Sequence, residues 1–92
     1  MRKKELTKEQ KAVIEDIKII WKNNFPNVKI YSDKRKTFYR VKLYMVPVRI
    51  ARKAKKLAEK FPVYAEVEEA PLSYYTGWKP SYYNCIIKCF YV

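Results

Sequence analysis

The chain has 92 residues, a length that fits one domain with a two-layer core and leaves no volume for a deep, enclosed substrate cavity. Its 49% hydrophobic and 16% aromatic residues exclude intrinsic disorder, and the single glycine favours regular elements over open loops. A formal net charge of +12 indicates an acidic partner, first nucleic acid and then an anionic membrane or an acidic protein surface, unless the charge serves solubility alone.

No apolar run approaches the roughly 18 residues of a membrane span, and the basic residues 2–4 precede a charged amphipathic segment rather than the apolar core of a signal peptide. We therefore expect a cytoplasmic protein without a membrane partner, with residues 1–5 as a flexible basic arm. Cys85 and Cys89 are four residues apart on one predicted strand, about 13 Å from each other, which is too far for a disulfide. Both are expected to be buried thiols.

The first half of the chain predicts a helix followed by a hairpin. Thr7 and Gln10 have the spacing of a capping box, and apolar residues then recur every three or four positions until Pro26 stops the helix. Residues 28–32 alternate as a short strand, and after a polar turn residues 37–46 alternate as a long one. The core face of the long strand is expected to carry Tyr39, Val41, Leu43 and Met45. Its other face is basic and aromatic, with Phe38, Arg40, Lys42 and Tyr44.

The second half of the chain repeats this order. Pro47 suits the first helical position, and apolar residues at three- and four-residue spacing predict a helix that ends before Pro62. Residues 63–68 alternate as a short strand, and residues 82–92 form a final strand that is apolar on both sides, which favours a central place in the sheet. The prediction is one domain over residues 1–92 that contains two αββ units, 6–46 and 47–92.

An αββαββ order with both helices on one side of the sheet predicts an α+β fold, a two-layer sandwich with a four-stranded antiparallel sheet. It resembles a circular permutation of the ferredoxin-like βαββαβ architecture, with strands 37–46 and 82–92 at the centre. RNA-recognition domains use the open face of a similar sheet, but residues 36–40 do not match their glycine-containing aromatic motif. The resemblance is to an architecture and carries no function with it.

Residues 34–60 contain eleven basic residues against one acidic residue, Glu59, and so hold most of the net charge. Cations and rings alternate on the long strand, which predicts an open sheet face that stacks single-stranded bases and pairs with phosphates. Alternatively, the outer face of the second helix would hold duplex phosphates without reading bases. A third alternative buries the open face in a symmetric homodimer. The candidate nucleic-acid-binding residues are Lys34, Arg35, Lys36, Phe38, Arg40, Lys42, Tyr44, Arg49, Arg52, Lys53, Lys56 and Lys60.

Residues 70–81 form a long predicted loop with three large rings around the single glycine. These rings either contact a partner or fold back over one end of the core. A contact role favours a second function, a small viral or plasmid-encoded interaction protein that inhibits a host protein by covering an acidic or nucleic-acid-binding surface. The candidate partner-contact residues are Tyr74, Tyr75 and Trp78.

Catalysis is not expected from this sequence. The chain has no histidine, no phosphate-binding glycine motif and no paired-cysteine metal spacing. Glu66 and Glu68 share a predicted strand face and offer, with Asp33, a magnesium site as the alternative, but glutamates on edge strands are more often solvated. We therefore predict a non-enzymatic protein without a cofactor or a metal.

Overall fold

The computed structural model describes residues 5–70 and 82–91. The elements are α1 (Lys8–Asn24), β1 (Lys29–Lys34), β2 (Phe38–Val46), α2 (Val48–Ala58), β3 (Tyr64–Glu69) and β4 (Tyr83–Phe90). The four strands form one antiparallel sheet in the order β1-β2-β4-β3, with the two long strands at its centre. The α+β class and the four-stranded antiparallel sheet are therefore as predicted.

Helix α1 begins with the predicted capping box. Thr7 Oγ1 accepts a hydrogen bond from the Gln10 backbone N–H at 3.1 Å, and Gln10 Oε1 accepts one from the Thr7 N–H at 2.9 Å. Two N–H groups that the first helical turn leaves without a partner are thus satisfied. Gln10 Nε2 also donates to the carbonyl of Phe90 at 2.7 Å, which ties the start of α1 to the end of β4.

Helix α2 begins one residue later than the sequence predicts, because Pro47 is its N-cap and Val48 its first helical residue. The Pro47 carbonyl accepts from the N–H groups of Ile50 and Ala51, but its side chain supplies no cap. The first turn has no acidic residue and carries Arg49. A cation at the positive end of the helix dipole is unfavourable, so this helix is not arranged for maximal stability.

The core lies on one face of the sheet, where both helices pack their buried residues. Trp21 of α1 is fully buried, and its Nε1 donates to the carbonyl of Ala54 in α2 at 3.1 Å. Alanines at the buried positions of α2 let its backbone approach the sheet closely. The buried cluster comprises Ile14, Ile17, Trp21, Phe25, Val41, Leu43, Val46, Ala51, Ala54, Ala58, Cys85, Ile87 and Cys89.

The two cysteines are free and buried, as predicted. Burial in the apolar core raises the pKa of the Cys85 thiol to about 12 and also raises the pKa of Cys89. Both side chains are therefore protonated at neutral pH and serve as packing groups.

A β-bulge near the end of β2 overturns one predicted core position. The pairing of β2 with β4 shifts between Leu43 and Val46, and Met45 adopts a left-handed conformation with φ of 55°. The bulge moves the alternation by one residue, so Val46 enters the core in place of Met45. Asn84 of β4, which is fully buried, stabilises the bulge because its Oδ1 accepts from the Met45 N–H at 2.8 Å.

Candidate nucleic-acid interface

The fold divides the basic segment 34–60 among three parts of the molecule. The hairpin between β1 and β2 carries the first cations, the sheet face away from the helices carries the next, and the outer face of α2 carries the rest. Lys34 lines a shallow cleft with Lys11 and Tyr39 on the side of α1, whereas α2 packs over β4, β3 and β2. The segment is therefore not one continuous contact surface. Its three parts differ in how many of their cations are paired with carboxylates.

We call the sheet face away from the helices the open face; it has Lys29, Tyr31, Asp33, Phe38, Arg40, Lys42, Tyr44, Tyr64, Glu66, Glu68, Asn84, Ile86, Lys88 and Phe90. Its strongest ion pair joins neighbouring strands. Arg40 Nε donates to Asp33 Oδ1 at 2.9 Å, and Arg40 Nη2 donates to Asp33 Oδ2 at 2.8 Å. This two-point hydrogen bond from Arg40 lowers the pKa of Asp33 and raises that of Arg40. Arg40 is therefore committed to a carboxylate of its own chain.

The other two cations near the middle of the open face are also paired. Lys88 Nζ lies 3.3 Å from Glu66 Oε1, and Lys42 Nζ lies 3.9 Å from Glu68 Oε2. With Lys29, the open face holds four cations against three carboxylates, so it is close to neutral in a chain of net charge +12. The predicted cationic character of this face is lost because its acidic and basic residues pair across strands.

The rings of the open face contact one another and the lysines. Tyr31 meets Tyr44 edge to face with centroids 5.3 Å apart, and Phe38 meets Phe90 in the same way at 5.6 Å. Lys88 Nζ lies 5.1 Å from the centroid of the Phe38 ring. Edge-to-face packing covers part of the ring faces that a stacked base would contact. The paired rings are therefore less available for base stacking.

Ile86 points to the open face and yet is only 2% exposed. Its cross-strand neighbours are Lys42 and Glu66, and the Lys42 side chain extends over β4 to reach Glu68 on β3. The aliphatic stem of a lysine in such a position covers apolar surface while its ammonium group meets a carboxylate. The open face thus has a small buried layer of its own beneath its ion pairs.

The outer face of α2 has the opposite character. Within α2 there are five basic residues and no acidic one, and of these Lys55 pairs with Glu59 at 3.4 Å. The other four basic residues of α2 have no carboxylate partner among residues 5–70 and 82–91. The same holds for Lys60, which lies in the turn after the helix. All five side chains belong to exposed residues, and the helical repeat places them along one side of the helix. They are Arg49, Arg52, Lys53, Lys56 and Lys60.

Comparisons of this chain with protein-family models, with curated proteins and with solved structures find no match. In the part of the chain that the structure describes, no helix is long and apolar enough to cross a membrane.

The hairpin cations Lys34, Arg35 and Lys36 are exposed at one end of the sheet. Arg35 Nη1 lies 3.5 Å from Asp33 Oδ2, so it shares the carboxylate that Arg40 holds. The hairpin offers three charges on a narrow tip. It therefore provides a smaller contact surface than α2.

The structure does not form the magnesium site considered from the sequence. Asp33 is on the edge strand β1, whereas Glu66 and Glu68 are on the opposite edge strand β3. Three strand spacings separate them, about 14 Å, and a shared ion needs ligands within a few Å of one point. No group of three acidic or cysteine side chains within the described ranges is placed to hold a metal ion.

The predicted partner-contact residues Tyr74, Tyr75 and Trp78 lie outside the described residues. Sequence reasoning missed the ion pairs of the open face, in which Asp33, Glu66 and Glu68 neutralise Arg40, Lys88 and Lys42 respectively. Alternation along β3 does place both glutamates on that face. The missing information was the register between β3 and β4, which decides which cation each glutamate meets.

Proposed function

We propose that this protein is a non-enzymatic nucleic-acid-binding domain that holds a phosphate backbone on the outer face of α2. The observation that carries the proposal is the contrast between two sets of cations. Those at the middle of the open face pair with carboxylates, whereas Arg49, Arg52, Lys53, Lys56 and Lys60 are exposed and have no carboxylate partner within the described residues. Exposed cations in a row along one helix are the electrostatic footprint of a phosphate-binding surface.

The chemistry of this surface is charge neutralisation. Arg49 and Arg52 can each grip a phosphate with two N–H groups, whereas the lysines act as point charges. Such contacts position a nucleic acid without reading its bases, so we expect little sequence preference. The negative charge of phosphates on this face would also offset the mutual repulsion of its five cations. Release of the counterions condensed on the polyanion adds a favourable entropy of binding.

The open face contributes less to this activity than the sequence predicts. Three of its four cations are paired with carboxylates, and four of its rings pack edge to face in two pairs, so few of these groups are free for a single strand. We therefore propose that Phe38, Arg40, Lys42 and Tyr44 do not form the main nucleic-acid contact.

We also propose that the architecture is the permuted ferredoxin-like two-layer sandwich. Moving the first strand of a βαββαβ chain to its end predicts the sheet order β1-β2-β4-β3 with every neighbouring pair antiparallel, and this is the order observed. The core on one sheet face, shared by both helices, supports the same arrangement. The single-domain organisation and the cytoplasmic location stay predictions from the sequence.

The proposal is tested by removing charge from one helix at a time. Neutralising three α2 cations, as R52Q/K53Q/K56Q, is expected to weaken binding to labelled duplex DNA, single-stranded DNA and RNA by about tenfold or more at low salt, because several phosphate contacts are lost. The measurement is fluorescence anisotropy at fixed salt. The matched control is K8Q/K11Q/K22Q, which removes the same charge from exposed positions of α1.

Equal losses from both triple variants would contradict a specific role for α2, since net charge alone would explain them. A third variant, Y31S/Y64S, tests base stacking on the open face. A larger loss of affinity in this variant than in the α2 variant would show that the open face, and not α2, forms the main nucleic-acid contact. The assay also includes poly-glutamate as a probe. Tighter binding to it than to any nucleic acid would favour the alternative function, contact with an acidic protein surface.

A further inference from the structure

The open face combines three properties that together favour contact with a protein over contact with a phosphate backbone. It is nearly neutral, three of its four cations are already paired, and it exposes large rings. Tyr31, Tyr64 and Phe90 are 49%, 53% and 52% exposed, and they account for three of the five large apolar side chains that are exposed among the described residues. An exposed apolar patch ringed by polar groups is typical of a protein–protein interface.

We infer that the open face is the interface of a symmetric homodimer, with a second copy of this chain as its occupant. The first argument is charge. Two copies of a chain of net charge +12 repel each other, and the open face, with four cations against three carboxylates, is where the repulsion is smallest. The phosphate-binding face of α2, by contrast, is the least suitable surface for self-association.

The second argument concerns the cost of burying polar groups. The side chains of Arg40, Lys42 and Lys88 are only 22–26% exposed, and each already has a carboxylate partner. Covering them with a second protein would therefore leave no charge unpaired, which is the main penalty when ions enter an interface. The edge-to-face ring pairs are fixed before association, so little side-chain entropy is lost.

The third argument is area. An aromatic side chain contributes roughly 150–250 Å², so three half-exposed rings offer about 200–400 Å². A standard interface buries about 800 Å² per partner. The rings alone supply a quarter to a half of this, and the half-buried Phe38 and Tyr44 and the stems of the paired cations surround them.

A two-fold axis that runs parallel to the strands between β2 and β4 brings the two open faces together row by row. It places β1 of one protomer over β3 of its partner, because the sheet order is β1-β2-β4-β3. Lys29, the open-face cation without a carboxylate partner within the described residues, then lies over the partner's Glu68. Phe38 lies over the partner's Phe90 in the same row of the sheet. Arg40 lies over the partner's Lys88, and each of these cations already has a carboxylate partner in its own chain.

Sedimentation velocity of nuclease-treated protein, from low to high micromolar concentration, tests this inference without any nucleic acid present. We expect the mass to rise with concentration from 11.2 kDa towards twice that value. We expect F90E and Y64E each to raise the dissociation constant of the dimer at least tenfold. Two independent substitutions keep the test valid if one variant fails to fold, which circular dichroism would show. The matched control is I19E, because Ile19 is 55% exposed on α1, away from the open face.

A mass of 11.2 kDa at every concentration would overturn the inference, as would a dimer that I19E dissociates while F90E and Y64E leave it intact. Equal weakening by all three variants would also overturn it, since added charge alone would then be the cause. A dimer sensitive only to F90E and Y64E supports it. Because no polyanion is present, none of these results depends on whether α2 binds phosphate.

Discussion

Arg49 illustrates at the scale of one residue how function and stability oppose each other in this chain. It is exposed in the first turn of α2, a turn without acidic residues or a side-chain cap. The positive end of a helix dipole disfavours a cation there by a few tenths of a kcal/mol to about 1 kcal/mol. A bound phosphate would reverse that penalty, which gives the position a reason to be basic.

We therefore predict that R49E both stabilises the fold and weakens nucleic-acid binding. Replacing the cation with a carboxylate should raise the free energy of unfolding by about 0.5–1.5 kcal/mol, or the melting temperature by several degrees. The control is R52E, which makes the same charge change away from the helix start. Thermal melting that shows no stability difference between R49E and R52E would contradict the role assigned to the dipole.

Single residues also show which features a sequence can reveal. Thr7 and Gln10 were predicted as a capping box because their interaction is local, three residues apart in the chain. Arg40 was predicted as a nucleic-acid contact, and its bond to Asp33 was not foreseen. That bond depends on the hairpin register, in which the two residues are direct cross-strand partners. Interactions between residues close in sequence could be predicted, whereas the pairing of side chains across strands could not.

At the scale of elements, the bulge in β2 depends on one polar side chain of β4. Asn84 is fully buried, accepts from the Met45 N–H at 2.8 Å and donates to Glu68 at 3.0 Å. The bulge also allows Val46, rather than Met45, to enter the core. Asn84 therefore joins the core, the bulge and the acidic side of the open face.

We predict that N84A lowers the free energy of unfolding by about 2–4 kcal/mol, because the Met45 N–H is left without its partner and a cavity replaces the amide. Urea denaturation measures this free energy, and the dependence of the free energy on urea concentration should stay unchanged. The control is N23A at an exposed position of α1, expected to change stability by less than about 0.5 kcal/mol. A similarly small effect of N84A would show that the bulge forms without it.

The elements themselves were largely predictable, for physical reasons. The outer face of α2 follows from a period of 3.6 residues, which fixes the cations opposite Ala51, Ala54 and Ala58. The bulge was not predictable, because the alternation of β2 continues smoothly through Met45 in the sequence. The register between β3 and β4 was also hidden, since the long connection between them sets no pairing of its own.

At the scale of the whole molecule, charge is distributed unevenly over the surface. The open face is nearly neutral through ion pairs, whereas α2 carries four exposed cations without a carboxylate partner within the described residues. If two open faces pair as inferred, the α2 helices lie on opposite outer sides of the dimer. Each dimer would then present two phosphate-binding surfaces that point away from each other, suited to hold two separate segments of nucleic acid.

The central claim is that the cations of α2 bind phosphates, and the salt dependence of binding tests it most directly. If Arg49, Arg52, Lys53, Lys56 and Lys60 each neutralise one phosphate, a plot of log affinity against log salt for duplex DNA should have a slope of about −4 to −5. The variant R52Q/K53Q/K56Q should reduce its magnitude by about 2 to 3, because three contacts are removed. A slope smaller in magnitude than about 1, or one that this variant leaves unchanged, would contradict the account.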